Sequence, residues 1–119
     1  MAPADRIFLH GDLGSHNLLV DERGRVVGLF DLEEACVGDR HHELRWLPSY
    51  GEEFLSRFLA RYREGSGALV DERRVRRLHA LVALEQYGWG LREPSQHHRT
   101  GRTLEQTRGW ALRAVEAVT

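Results

Sequence analysis

The sequence of 119 residues contains no lysine, because all 17 of its basic residues are arginine. A phosphate-binding loop that depends on a lysine is therefore excluded within this chain. The formal net charge of −1 provides no basic surface of the kind that binds nucleic acid. We therefore expect no nucleic-acid partner.

Cysteine and long apolar runs are also scarce. Cys36 is the single cysteine, so an internal disulfide is excluded and a reducing, cytoplasmic location is predicted. We interpret Cys36 as a small packing residue, since no base lies near it in sequence. No run approaches the ~20 apolar residues of a membrane span, and residues 1–12 lack the apolar segment of a signal peptide. We expect no membrane partner.

The composition that remains is that of an ordinary globular protein, with 41% hydrophobic and 29% charged residues. At this length we predict a single domain over residues 1–119 with a mostly helical α+β fold. A short β-hairpin and a polar loop occupy residues 6–39. Three or four helices follow over residues 40–119 and form the substrate side.

Two apolar runs, 18–20 and 26–30, flank a polar turn and predict the β-hairpin. Gly24 in the turn can adopt a positive φ, as tight hairpin turns require. A further apolar run over 7–9 predicts the end of a buried strand or of an extended segment, and 32–39 is predicted to be a loop.

Apolar periodicity and capping residues predict four helices. They are a helix over 40–47 that Pro48 ends, a helix to 64 opened by a capping box of Ser49 and Glu52, a helix to 92 capped by Asp71, and a last helix capped by Thr103 and Gln106. The third helix is expected to point five residues inward: Val75, Leu78, Leu81, Val82 and Leu84. The polar segment 93–102 is predicted to be a loop, and the histidine pairs 41–42 and 97–98 are predicted to be exposed.

The stretch LHGDLGSHNLLVDERGRVVGLFD carries the candidate chemistry. Because a hairpin brings its outer ends together, we expect Asn17 and Asp31 to lie within reach of one ion. Phosphoryl transfer needs a carboxylate near the acceptor hydroxyl and Mg²⁺ held by hard oxygen ligands. We predict Asp12 as the base and Asn17 and Asp31 as the metal and cofactor ligands. Glu33 is a further candidate, either for a second ion or for orienting a water molecule, and His10 is expected to brace the loop.

The motif HGDLGSHN, followed by Phe30-Asp31 and then by Gly38, Asp39 and Glu43, resembles the aminoglycoside phosphotransferase family of the protein-kinase-like superfamily. The resemblance covers residues 7–47. It implies Mg²⁺- and ATP-dependent transfer of phosphate to a hydroxyl of a small molecule. It also implies that Asp39 and Glu43 form a structural brace beneath the loop.

The family carries an N-terminal lobe that binds ATP, which nine residues ahead of His10 cannot hold. The resemblance therefore implies the later part of a kinase-like C-lobe, and ATP is expected only with a complete nucleotide lobe. One alternative is a non-catalytic module that forms a homodimer or binds the missing lobe as a separate chain. Another is a metal-dependent hydrolase that uses His10, Asp12 and His16. Three glutamates, at positions 52, 53 and 64, fit either a cationic-substrate pocket or an exposed helix surface.

Overall fold

The computed structural model describes residues 2–94 and 101–119 of the chain. The described residues confirm the mostly helical α+β fold. The strands are β1 (Arg6–Leu9), β2 (Leu18–Val20), β3 (Val26–Leu29) and β4 (Cys36–Asp39). The helices are α1 (Arg40–Glu43), a 3₁₀ helix (Leu44–Tyr50), α2 (Glu52–Ser66), α3 (Glu72–Arg92) and α4 (Leu104–Glu116). Most of the predicted loop 93–102 lies outside the described residues, and so does the whole of the pair His97 and His98.

The strands form two separate antiparallel pairs. β2 and β3 make the predicted hairpin, in which Leu18 faces Leu29. β1 pairs with β4, so that Leu9 faces Cys36. The prediction of a loop over 32–39 is therefore wrong for its second half, because β1 supplies a partner that lies about thirty residues away in sequence. Cys36 is exposed, so its interpretation as a packing residue is also wrong.

The segment after β4 begins as a helix and then tightens. α1 ends at Glu43, and the chain continues as a 3₁₀ helix that contains Pro48. The predicted single helix over 40–47 is thus half as long as expected. The 3₁₀ form tolerates Pro48 because it has no long run of α-type hydrogen bonds for the proline to interrupt. It also presents Leu44 and Leu47 to the core.

The predicted capping box of Ser49 and Glu52 does not form. α2 has Gly51 at its N-cap with φ +100 and without a side-chain cap. The hydroxyl of Ser49 instead donates to the carbonyl oxygen of Trp46 at 2.6 Å, because Ser49 still belongs to the 3₁₀ helix.

The boundaries of α3 and α4 confirm the predictions that depended on capping. The Asp71 side chain accepts from the backbone N–H of Arg74 and caps α3. Thr103 and Gln106 form the reciprocal capping box of α4. These caps are local in sequence, and local hydrogen bonding decides them.

The core consists of two apolar clusters joined by α3. The first contains Leu44, Leu47, Leu55 and Val75 and is therefore made by the 3₁₀ helix, α2 and α3. The second contains Ala80, Ala83, Ala111 and Ala114, whose small side chains let α3 and α4 pack closely. Together they fix the helices behind the loop that follows β1.

Two expectations about α3 are wrong. Leu81 and Leu84 are exposed, with 62% and 46% of their surface accessible, although periodicity placed them inward. The buried positions include His79, Ala80 and Ala83, because α4 covers that side of the helix. Over residues 2–94 and 101–119, every helix falls short of the length or the apolar character that a membrane span requires.

Candidate active site

The loop between β1 and β2 begins with three residues whose backbone is tightly held. The Glu43 carboxylate accepts from the backbone N–H groups of both His10 and Gly11. Gly11 has φ +91, and a Cβ there would lie 2.3 Å from the carbonyl oxygen of Glu34. Only glycine fits this position without displacing the backbone. Glu43 thus holds the backbone at the start of this loop.

The His10 ring links the loop to the end of β3. Its Nδ1 accepts from the backbone N–H of Asp12 at 3.2 Å, so the ring proton lies on Nε2. That nitrogen donates to the carbonyl oxygen of Phe30. His10 is buried, with 6% of its surface exposed. Both ring nitrogens are therefore used in positioning Asp12 relative to the hairpin.

Asp12 is oriented by two side chains from the same loop. Its Oδ2 accepts from Asn17 Nδ2 at 3.2 Å and lies 3.1 Å from His16 Nε2. Asn17 Nδ2 also donates to the Asp12 carbonyl oxygen at 2.9 Å. Asn17 is buried, with 7% of its surface exposed. The loop and a short 3₁₀ turn at Ser15–Asn17 thus place a carboxylate and an amide side by side.

The hairpin places the backbone of Asp31 next to the strand end that carries Asn17. The backbone N–H of Phe30 donates to the carbonyl oxygen of Asn17 at 2.9 Å, so Asp31 follows directly on a residue paired with Asn17. Asp31 has φ +57 and is the single non-glycine residue with positive φ in the described part of the chain. Its Oδ1 accepts from the backbone N–H of Glu33 at 3.4 Å, and the Glu33 side chain is exposed.

Asn17 and Asp31 carry oxygen donors of the kinds that suit a hard divalent cation. Both amide hydrogens of Asn17 are directed at Asp12, which leaves the amide oxygen Oδ1 as the atom that could bind a cation. Asp31 contributes a carboxylate. Oxygen donors of these two kinds are the ligands that Mg²⁺ prefers.

The predicted brace residue Asp39 joins α1 to α3. Its Oδ1 accepts from the backbone N–H and from Nδ1 of His41, and its Oδ2 accepts from Arg74 Nε at 2.9 Å. Burial raises the pKa of Asp39, but the hydrogen bonds from His41 and Arg74 outweigh it and lower that pKa below its usual value. The carboxylate therefore stays ionised as the N-cap of α1.

His41 is buried, so the prediction that both members of the pair 41–42 are exposed is wrong for His41. Its Nδ1–H donates to Asp39 at 2.7 Å, and its Nε2 accepts from the backbone N–H of Asp71 at 3.0 Å. The ring therefore connects the start of α1 to the cap of α3. Periodicity alone could not reveal this contact, because the two segments are thirty residues apart.

Sequence reasoning missed Arg45 and His79. Arg45 is buried and donates to the carbonyl oxygens of Gly11 at 2.8 Å and His42 at 2.7 Å. His79 is buried in α3; its Nδ1 donates to the Arg45 carbonyl oxygen at 2.8 Å and its Nε2 accepts from Trp110 at 3.1 Å. The available signal for Arg45 was a lone basic residue within the otherwise apolar run LRWLP.

A cavity of about 650 Å³ opens beside Asp12. Its walls come from the loop after β3, the 3₁₀ helix and the exposed side of α3. Glu34, Arg45, Trp46, Glu85 and Trp89 are among its lining residues. None of the three glutamates considered for a cationic pocket lines this cavity. Glu52 pairs with Arg76, and Glu53 lies 3.8 Å from Arg57. The glutamates that line the cavity are Glu34 and Glu85.

The geometry does not favour the hydrolase hypothesis. A metal site at His10, Asp12 and His16 would need a free nitrogen on His10, but both nitrogens are hydrogen-bonded. Among the described residues, no three His, Cys, Asp or Glu side chains are grouped so that they could hold a metal ion.

One loop and one hairpin thus present a carboxylate, an amide and a second carboxylate, which are the kinds of side chain that phosphoryl transfer uses. The comparison with known sequences agrees: a profile described as "Phosphotransferase enzyme family" matches residues 1–79, and the chain belongs to this family. An aminoglycoside 3′-phosphotransferase from Escherichia coli is 35% identical over 82 residues, which cover 69% of this chain and 30% of that protein.

The uncharacterized protein YcbJ of Bacillus subtilis (strain 168) is 34% identical over 68 residues, which cover 56% of this chain and 22% of that protein. The chain therefore spans less than a third of the length of these curated relatives. No solved structure matches it.

Proposed function

We propose that the chain is part of an ATP- and Mg²⁺-dependent phosphotransferase that acts on a hydroxyl group of a small molecule. The observation that supports this most directly is the position of Asp12, whose carboxylate is oriented by Asn17 and borders the 650 Å³ cavity. The helical part over 40–119 would supply the acceptor side of that cavity. A cytoplasmic location, where ATP and Mg²⁺ are present, belongs to the same proposal.

Asp12 would act as the base. Its Oδ2 is occupied by Asn17 and His16, which leaves Oδ1 to accept the proton of an acceptor hydroxyl held in the cavity. The fixed backbone of His10 and Gly11 keeps this carboxylate in one position. Positioning of this kind supplies much of the rate enhancement in phosphoryl transfer.

Asn17 Oδ1 and Asp31 would hold Mg²⁺, with Glu33 as an outer carboxylate. The ion, when bound, neutralises charge on the transferred phosphate and its leaving group. ATP itself requires a nucleotide-binding lobe beyond this chain, which agrees with the short span that the chain covers in its relatives. We therefore propose activity for the assembled protein, with that lobe fused or supplied as a second chain.

The test is transfer of labelled phosphate from ATP to a panel of hydroxylated small molecules, measured with Asp12→Asn. We expect transfer to fall by about 10²- to 10⁴-fold, because the base is lost while shape is retained. ATP binding should be unchanged. Asp21→Asn is the matched control, since Asp21 is a carboxylate of the hairpin turn with its own backbone bonds. Wild-type turnover in Asp12→Asn would exclude the proposed role.

A second candidate function is a non-catalytic binding module. It is favoured by the exposed apolar side chains of the strands and of the residues next to them: Phe8, Leu19, Val20, Val26, Val27, Leu29, Phe30, Leu32 and Val37. An apolar surface of this extent is disfavoured in water and is typical of interfaces. We propose that a nucleotide lobe or a second copy of this chain covers it.

Light scattering coupled to size exclusion, with an apolar fluorescent dye, tests the second candidate. We expect either a dimer or a monomer that binds the dye. A monomer that binds no dye would argue against an interface on the strands.

A further inference from the structure

We propose that Arg45 is a positioning residue for Asp12, because its guanidinium holds the peptide group that joins Gly11 to Asp12. This inference rests on the proposed function, in which Asp12 is the base. Arg45 itself does not contact the reacting atoms.

The peptide group between Gly11 and Asp12 is held at both of its polar atoms. Its carbonyl oxygen accepts from Arg45 Nη2 at 2.8 Å in a buried contact. Its N–H donates to His10 Nδ1 at 3.2 Å. With both ends bonded, this peptide plane cannot rotate without breaking a hydrogen bond. The orientation of this peptide plane helps to set the direction of the Cα–Cβ bond of Asp12, and therefore where its side chain can lie.

Residues of α1 and α3 in turn hold Arg45 in place by hydrogen bonds. Its Nη1 donates to the His42 carbonyl oxygen at 2.7 Å, and its own carbonyl oxygen accepts from His79 of α3. The His79 ring is held on its other side by Trp110 of α4. A continuous set of direct contacts therefore leads from the helical core to the backbone of the base.

The environment of Arg45 differs from that of an ordinary structural ion pair. The hydrogen bonds described for it go to main-chain carbonyl oxygens, whereas the equally buried Arg40 binds the Asp5 carboxylate. Burial lowers the pKa of Arg45, while Asp12, Glu34 and Glu43 act in the opposite direction. Arg45 also lines the same cavity as Asp12 and Glu34.

Arg40 provides the matched control. It is also 7% exposed, and it also binds main chain, through the Ala4 carbonyl oxygen at 2.6 Å. Its contacts lie at the start of β1 and on Tyr62, away from Asp12. Arg40→Ala should therefore reproduce the loss of a buried guanidinium without releasing the Gly11–Asp12 peptide.

The experiment compares Arg45→Ala, Arg45→Lys and Arg40→Ala in the assembled protein, by kinetics and by amide hydrogen exchange. For Arg45→Ala we expect kcat to fall about 10- to 100-fold with KM nearly unchanged, because misplacement of the base affects the chemical step. Arg45→Lys should recover part of kcat, and so should added methylguanidinium with Arg45→Ala. Arg40→Ala should keep kcat within about twofold of wild type even where its melting temperature falls as far.

Hydrogen exchange separates the failure of this inference from the failure of the proposed function. The Asp12 amide should exchange about tenfold faster in Arg45→Ala than in Arg40→Ala, whether or not phosphate transfer occurs. Unchanged exchange at Asp12 would overturn the inference at the level of structure. Faster exchange together with wild-type kcat would overturn the positioning role.

Discussion

At the scale of single residues, Gly11 is a position where a side chain meets two separate obstacles. It combines a positive φ with backbone atoms of Glu34 where a side chain would have to lie. Gly24 has a similar φ of +76, but nothing lies within 4 Å of the position its Cβ would occupy. Both positions therefore require a positive φ, but only Gly11 also lacks the space for a Cβ.

We expect Gly11→Ala to lower the free energy of unfolding by at least about 2 kcal/mol, because strain and a backbone clash add. Gly24→Ala should cost only about 1 kcal/mol, from strain alone. Urea denaturation of the two variants measures the difference. Equal losses would mean that the backbone near Glu34 yields to a methyl group at no cost.

At the scale of elements, the start of α1 depends on Asp39, which also pairs with Arg74 in the first turn of α3. Asp39 is mostly shielded, with 14% of its side chain exposed, whereas Arg74 is 43% exposed. The same ion pair thus has an inner and an outer partner.

The segment-level predictions were right where the deciding contact was local, as for the cap of α3 by Asp71. They were wrong for β4, whose partner β1 is distant in sequence.

Asp39→Ala should cost about 1–2 kcal/mol from loss of the N-cap alone, and more because His41 loses its acceptor. Arg74→Ala should cost less than about 1 kcal/mol, since an exposed partner contributes little. Chemical denaturation of both variants provides the comparison. A larger loss for Arg74→Ala would contradict the inner position of Asp39.

At the scale of the whole molecule, His79 connects the packing of α3 and α4 to pH. Burial lowers its pKa below 6.5; the hydrogen bond to the Arg45 carbonyl opposes this, and the charges of Arg102 and Arg76 add to it. The folded chain therefore prefers the neutral ring, which donates to Arg45 and accepts from Trp110. Below pH ~6.5 the unfolded chain binds more protons than the folded one.

The stability that His79 contributes should be complete above pH ~6.5 and should be lost as the pH falls through and below that value. Titration of the ring by NMR should give a midpoint below 6.5, and His79→Gln should flatten the decline of unfolding free energy between about pH 7 and 5. A midpoint above 6.5 would show that the ring is protonated in the fold.

The hairpin, the caps of α3 and α4, and the family of the chain could all be read from the sequence. The hairpin and the caps depend on hydrogen bonds between residues close in sequence, and the family depends on motifs whose spacing is visible in the order of side chains. The tertiary structure alone decided that His41, Arg45 and His79 are buried and that Leu81 and Leu84 are not. Burial depends on which elements pack together, and contacts across about thirty residues leave no periodic signal in the chain.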